Sequence, residues 1–157
     1  MPTSIRRAAI SLAICAAATV GVAPPVSAAD SPKATFTLDV KAGKLGNTIV
    51  DGKGMTLYMF VPDRLNVSNC EGGCLTAWPP MMLGAGETLD NVALEGGLRR
   101  SQLGVALRFD GSRQVTYGGR PLYWWFQDKV PGDVKGQWFN NIWFVMSTTG
   151  APNSDRI

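Results

Sequence analysis

Apolar residues along the chain recur in short runs with a period of two, bounded by Gly, Asp and Pro. No stretch holds a sustained helical apolar period, so the pattern predicts strands joined by tight turns. Phe36, Leu38 and Val40 alternate with Thr35, Thr37 and Asp39. Asp51-Gly52 separates Thr48–Val50 from Met55–Val61, and Asp110-Gly111 separates Val105–Phe109 from Arg113–Tyr117. Gly118-Gly119 then precedes Leu122–Phe126. Asp-Gly and Gly-Gly supply the positive φ angles that two-residue hairpins require. A last strand is expected over Ile142–Ser147 and a small helical turn near Leu75–Trp78. The polar stretch 149–157 is expected to be a flexible tail.

The strands belong to an internal repeat. Gly54, Leu57, Tyr58 and Asp63 are matched 65 residues later by Gly119, Leu122, Tyr123 and Asp128. The aromatic position between them is Phe60 in one copy and Trp125 in the other. Val50 and Val115 fall in the same register. In an extended strand, Tyr58 and Phe60 face one way and Leu57, Met59 and Val61 the other. Tyr123 and Trp125 oppose Leu122, Trp124 and Phe126 in the same way. Both faces are apolar, so burial on both sides is expected. Asp63 and Asp128 sit just past the strands, where a carboxylate can accept backbone N–H bonds and fix a turn. Turn structure accounts for them; a ligand role is the alternative.

The pattern predicts an all-β, compact, mostly antiparallel barrel or sandwich built from two tandem repeats. The repeats cover about residues 45–80 and 110–147 within one domain, 29–148. Two copies of Tyr-x-[Phe/Trp]-x-x-Asp, at 58–63 and 123–128, carry a resemblance. So do Cys70-Glu71-Gly72-Gly73-Cys74 leading to Trp78-Pro79-Pro80, and Gln114–Tyr117 before the second motif. Together with Gly132-Asp133, Gly136 and Trp143, they make residues 45–147 similar to a family of secreted bacterial repeats and lipoproteins. That repeat has no assigned function. The resemblance implies an exported, β-rich protein of two tandem repeats and no particular activity. Pro62 and Gln127 differ between the copies, at positions the motif leaves variable.

Residues 1–28 read as a signal peptide: Arg6 and Arg7, an uncharged Ala-rich run from Ala8 to Val22, then Val26-Ser27-Ala28 before the expected cleavage. Ala29 offers a second cleavage position. Cys15 follows Leu12-Ala13-Ile14, and the bulky Ile14 makes a poor lipid-attachment site, so lipid anchoring at Cys15 is not expected. The mature chain is expected to be periplasmic or extracellular, with no transmembrane segment. Processing leaves 13 basic and 12 acidic residues of the 15 and 12 in the whole chain. That balance gives no electrostatic case for binding nucleic acid.

Histidine is absent. This excludes a Ser-His-Asp triad, a Cys-His dyad and His-ligated metal sites. No phosphate-binding glycine loop or dinucleotide fingerprint is present. Cys70 and Cys74 are the cysteines left after processing, and in an exported domain they are expected to form a disulfide. A redox-active pair and metal thiolates are the alternatives, with Met81 and Met82 as possible soft ligands. Adjacent side chains in an extended segment point apart, so they chelate poorly. Met55, Met59 and Met146 read as core residues. Asp51, Asp63, Asp110, Asp128 and Asp133 would have to supply any carboxylate hydrolysis, but most lie in turns. No cofactor and no metal is expected, and the reading is non-enzymatic. Trp78, Trp124, Trp125, Trp138 and Trp143 are the candidate ligand-binding residues. They would form an exposed aromatic platform for an envelope protein or a glycan, against the alternative of a core buried on both sides.

Overall fold

The computed structural model describes residues 34–156; the signal-peptide segment and Cys15 lie outside the described residues. The chain is mostly β. β1 (Phe36–Gly43) and β2 (Gly46–Asp51) form an antiparallel hairpin, and β5 (Val92–Leu94) adds to β1 in parallel. β6 (Leu103–Leu107) and β7 (Arg113–Tyr117) form the equivalent hairpin of the second half, turned at Asp110-Gly111 as expected. β4 (Met82–Leu83) and β8 (Arg120–Pro121) also pair with β7, while β3 (Tyr58–Phe60) pairs with β9 (Trp143–Val145). One helical turn, α1 (Gly73–Ala77), lies where a helical turn was expected. The sheets are mixed and do not close into a barrel.

The two halves are interleaved. Tyr58 N donates to Tyr123 O at 2.8 Å and Tyr123 N to Tyr58 O at 3.0 Å, so a local two-fold passes between the two motif tyrosines. Tyr58 is paired with Val145, and Tyr123 with Pro80. These pairs are equivalent under the 65-residue offset, and each joins one repeat's motif segment to the C-terminal segment of the other repeat. The exchange continues in a ring of three backbone bonds. Met146 N donates to Leu57 O, Leu57 N to Ile49 O and Ile49 N to Met146 O. Met81, Leu122 and Val115 form the matching ring. Val115 therefore corresponds to Ile49, not to Val50 as the sequence register suggests. The path from β7 to the motif strand is one residue shorter than the path from β2.

The exchange separates two cores. Leu57, Met59, Met81, Leu122 and Met146 pack in one; Tyr58, Trp78, Tyr123, Trp125 and Trp143 pack in the other. The alternation of faces within each motif strand is as expected. It stops at the strand end, because Val61 and Phe126 are each 46% exposed. The segment expected as a strand over Leu122–Phe126 is not one: regular pairing ends at Pro121, and within the segment Tyr123 makes isolated bridges to Tyr58 and Pro80. Beyond Tyr123, Trp124 N and Phe126 N bond to Pro79 O and Ala77 O.

The exposed tryptophan platform is not formed by Trp78, Trp125 and Trp143, which are buried. Trp124 and Trp138 are half-buried. The cause is the two-fold itself, which brings the equivalent residues Trp78 and Trp143 together and stacks them, ring centroids 3.8 Å apart and planes 4° from parallel. The tail is also docked rather than free. Asn153 N donates to Val145 O, and Asn153 Nδ2 donates to Leu45 O at 2.6 Å. Trp138 Nε1 donates to Asp155 O, and the Arg156 guanidinium lies 4.2 Å from the centre of the Trp138 ring. The two Asn153 bonds satisfy a carbonyl of β9 and one in the β1–β2 turn that solvent would otherwise have to meet.

Candidate functional site

The repeat motif builds two reciprocal hydrogen bonds. Tyr58 OH donates to Asp128 Oδ2 at 2.6 Å, and Tyr123 OH donates to Asp63 Oδ2 at 2.8 Å. Each phenol thus reaches the aspartate of the other repeat. Each aspartate also fixes its own turn, since Asp63 Oδ1 accepts from Asn69 N and Asp128 Oδ1 from Lys135 N. Burial raises both phenols well above the ordinary tyrosine range, with the neighbouring aspartates adding to the effect. Burial also pushes the Asp63 carboxyl up to about 6 and raises Asp128, against the hydrogen bonds that favour their charged forms. Protonated phenols donating to turn-bound carboxyls hold the halves together. They present no activated nucleophile.

The six motif residues are therefore brought together, with Phe60 and Trp125 completing the arrangement. Phe60 stacks on Trp143 at 4.3 Å, and Trp125 packs on Trp78 at 4.1 Å, the same contact under the repeat offset. Tyr58 meets Trp78 edge-on, as Tyr123 meets Trp143.

A family model described as a secreted repeat of unknown function matches residues 39–82 and 104–147. The chain belongs to this family. Its two spans are offset by 65 residues and begin within β1 and β6, so each secreted repeat begins earlier than the sequence pattern suggested. No curated protein and no solved structure matches the chain. No described helix is long and apolar enough to cross a membrane.

Cys70 and Cys74 form a disulfide in the first secreted repeat. Gly72 adopts a φ of 57°, which lets the short loop turn before α1 begins. Trp78 N donates to Cys74 O at 2.8 Å and so delivers Trp78 to the stack. Closing so short a loop contributes on the order of 2 kcal/mol in the chain-entropy account. Cys70 is buried and Cys74 half-buried. Met81 is buried in the core while the neighbouring Met82 is only half-buried.

The second repeat carries a feature that the alternation pattern conceals. In β6 and the turn after it, Ala106 and Arg108 point inward, whereas Leu107 is 66% and Phe109 100% exposed. Earlier in β6, Leu103 and Val105 still pack against the core, so the departure from the usual apolar-side-in arrangement is confined to the strand's end. Arg108 is buried because a polar pocket receives it. Nη1 donates to Ser68 Oγ at 2.6 Å and Gln114 Oε1 at 2.7 Å, while Nη2 donates to Cys70 O at 2.6 Å and Glu71 Oε1 at 2.8 Å. Ser68 Oγ also shares a 2.8 Å hydrogen bond with Tyr123 OH, which ties this network to the motif. A buried guanidinium persists only when its donors are met in this way. Leu107, Phe109 and the exposed Val67 then line a surface concavity of about 400 Å³, and β6 is the edge strand of its sheet. Sequence reasoning missed Phe109. Its signal was its place beside the Asp110-Gly111 turn, where a hairpin tip has little core to enter.

Proposed function

We propose that this secreted repeat protein is a non-enzymatic binding protein that acts outside the cytoplasm, in the periplasm or at the cell surface. It engages a protein partner through the exposed edge formed by Leu107, Phe109 and Val67. The single observation that carries this reading is the inverted end of the β6 hairpin arm: Arg108 is buried between Leu107 and Phe109, which are presented to solvent. Contiguous exposed apolar surface of this kind marks interaction sites. An edge strand adds backbone groups that an extended partner segment can pair with. The aromatic surface expected from the sequence thus moves from the tryptophans to Phe109. The buried Tyr–Asp pairs and the Trp stack serve as the scaffold that holds this edge rigid.

The test is crosslinked affinity capture from envelope extract with the native protein and with a Leu107→Ser, Phe109→Ser double variant. Both side chains are exposed, so stability should change by no more than about 0.5 kcal/mol per site. The expected result is a captured protein that the variant retains at least tenfold less. Identical capture by both proteins, or capture of glycan alone, would contradict the reading.

A further inference from the structure

A second surface, remote in sequence from the β6 edge, has the chemistry of a small-ligand site. The turn of the β1–β2 hairpin faces the loop 131–135 across a cleft of about 460 Å³. That volume lies within the range of small-molecule sites. Its floor is apolar, with Leu45 and Val50 buried beneath it and Val134 on the wall. The hydroxyls at the floor are already engaged: Thr56 Oγ1 donates to Asp133 O at 2.6 Å and Thr48 Oγ1 to Lys41 O at 3.3 Å. Three lysines, Lys41, Lys44 and Lys135, line the cleft with this floor.

Asp133 is the one acid among the lining residues. Its carboxylate is spoken for. Oδ2 accepts from Lys135 Nζ at 2.8 Å, Lys129 N at 2.8 Å and Val130 N at 3.2 Å. These partners, the Lys135 hydrogen bond first, hold its pKa down to about 2. Lys135 is thereby matched, and Lys41 and Lys44 give the cleft its surplus positive charge. This local surplus contrasts with the near balance of charge in the processed chain.

Both walls are preformed. Asn153 Nδ2 holds Leu45 O on one side, and Gly132 N bonds to Gly54 O at 3.2 Å on the other. Gly132 has a φ of +89°, and the Lys41 Nζ lies 3.3 Å from where a Cβ on it would stand. Glycine there lets the ammonium settle against the loop backbone at the cleft mouth.

We propose that this cleft binds a small amphiphilic anion, with an apolar chain over Leu45, Val50 and Val134 and a carboxylate or phosphate head between Lys41 and Lys44. Charge-assisted hydrogen bonds fix the head, and apolar burial holds the chain. Free fatty acids and lipid phosphates share this chemistry.

The test is NMR titration of the processed protein with octanoate, octyl phosphate, neutral octyl glucoside and acetate, each below its micelle concentration. Saturable shifts of the Leu45, Val50 and Val134 methyls are expected with octanoate or octyl phosphate. The tighter of the two identifies the natural head group. Affinity should fall with added salt, and at least tenfold in a Lys41→Gln, Lys44→Gln variant. Both lysines are exposed, so that variant should melt as the native protein does. Equal binding of octyl glucoside, equal binding of acetate, unchanged affinity in the variant, or no shift of these methyls with either amphiphilic anion would overturn the proposal.

Discussion

Replacing Trp143 by alanine will lower the unfolding free energy by about 3–5 kcal/mol, the range for deleting a large buried aromatic. Trp143 is 3% exposed and sits where the two repeats meet. It stacks on Trp78, stacks on Phe60 and meets Tyr123 edge-on at 5.1 Å. Its loss removes contacts to both halves at once, so the cavity cannot close by a shift of one strand. Trp138 provides the contrast. It is half-buried and held by Asp155 and Arg156 of the tail, so its replacement by alanine should cost clearly less. Urea denaturation followed by circular dichroism measures both. Similar small losses at the two sites would show that the Trp stack does not hold the halves together.

The second large effect is with pH. The Asp63 carboxyl is held at about 6 in the folded chain against 3.8 when unperturbed, because burial disfavours its charge. Between those values the folded state holds a proton that the unfolded state has lost. Stability from this group is therefore fully present below about pH 4 and is lost as pH rises through about 6. A shift of that size corresponds to at most about 3 kcal/mol. Asp128 shifts in the same direction and acts with the same sign. Asp133 acts oppositely. Its depressed pKa gives stability that is present above about pH 4 and lost below it. The protein should accordingly be more stable at pH 5 than at pH 7.5, and Asp63→Asn should flatten that slope. Denaturant midpoints across pH 4.5–7.5 will show it. A native stability that is flat or rises over this interval would contradict the assignment.

Much of the scaffold was legible because it rests on local chemistry. Asp110-Gly111 dictates a hairpin by its φ requirements, and period-two alternation correctly sent Tyr58 and Leu57 to different cores. The Cys70–Cys74 pairing follows from compartment and spacing. What the sequence could not show is which repeat each partner belongs to. The Asp63 turn looks self-sufficient in sequence, yet its second oxygen takes a phenol 60 residues away. Burial of the tryptophans was illegible for the same reason, since one repeat alone has no partner on which to stack Trp78. Arg108 was hidden for another reason. Alternation assigns charge to solvent, and only the convergence of Ser68, Cys70 O and Gln114 makes the inward orientation favourable. The tail at Asn153 reads as polar filler until Leu45 O and Val145 O are seen to need its donors.

The reciprocal exchange between repeats is the centre of this account, and a pair of double-mutant cycles tests it most directly. Tyr58→Phe combined with Asp128→Asn, and Tyr123→Phe combined with Asp63→Asn, should each show a coupling energy of about 0.5–3 kcal/mol. Tyr58→Phe combined with Asp63→Asn, two changes within one motif, should be additive to within about 0.5 kcal/mol. Coupling within a motif, with additivity between the repeats, would contradict the exchange.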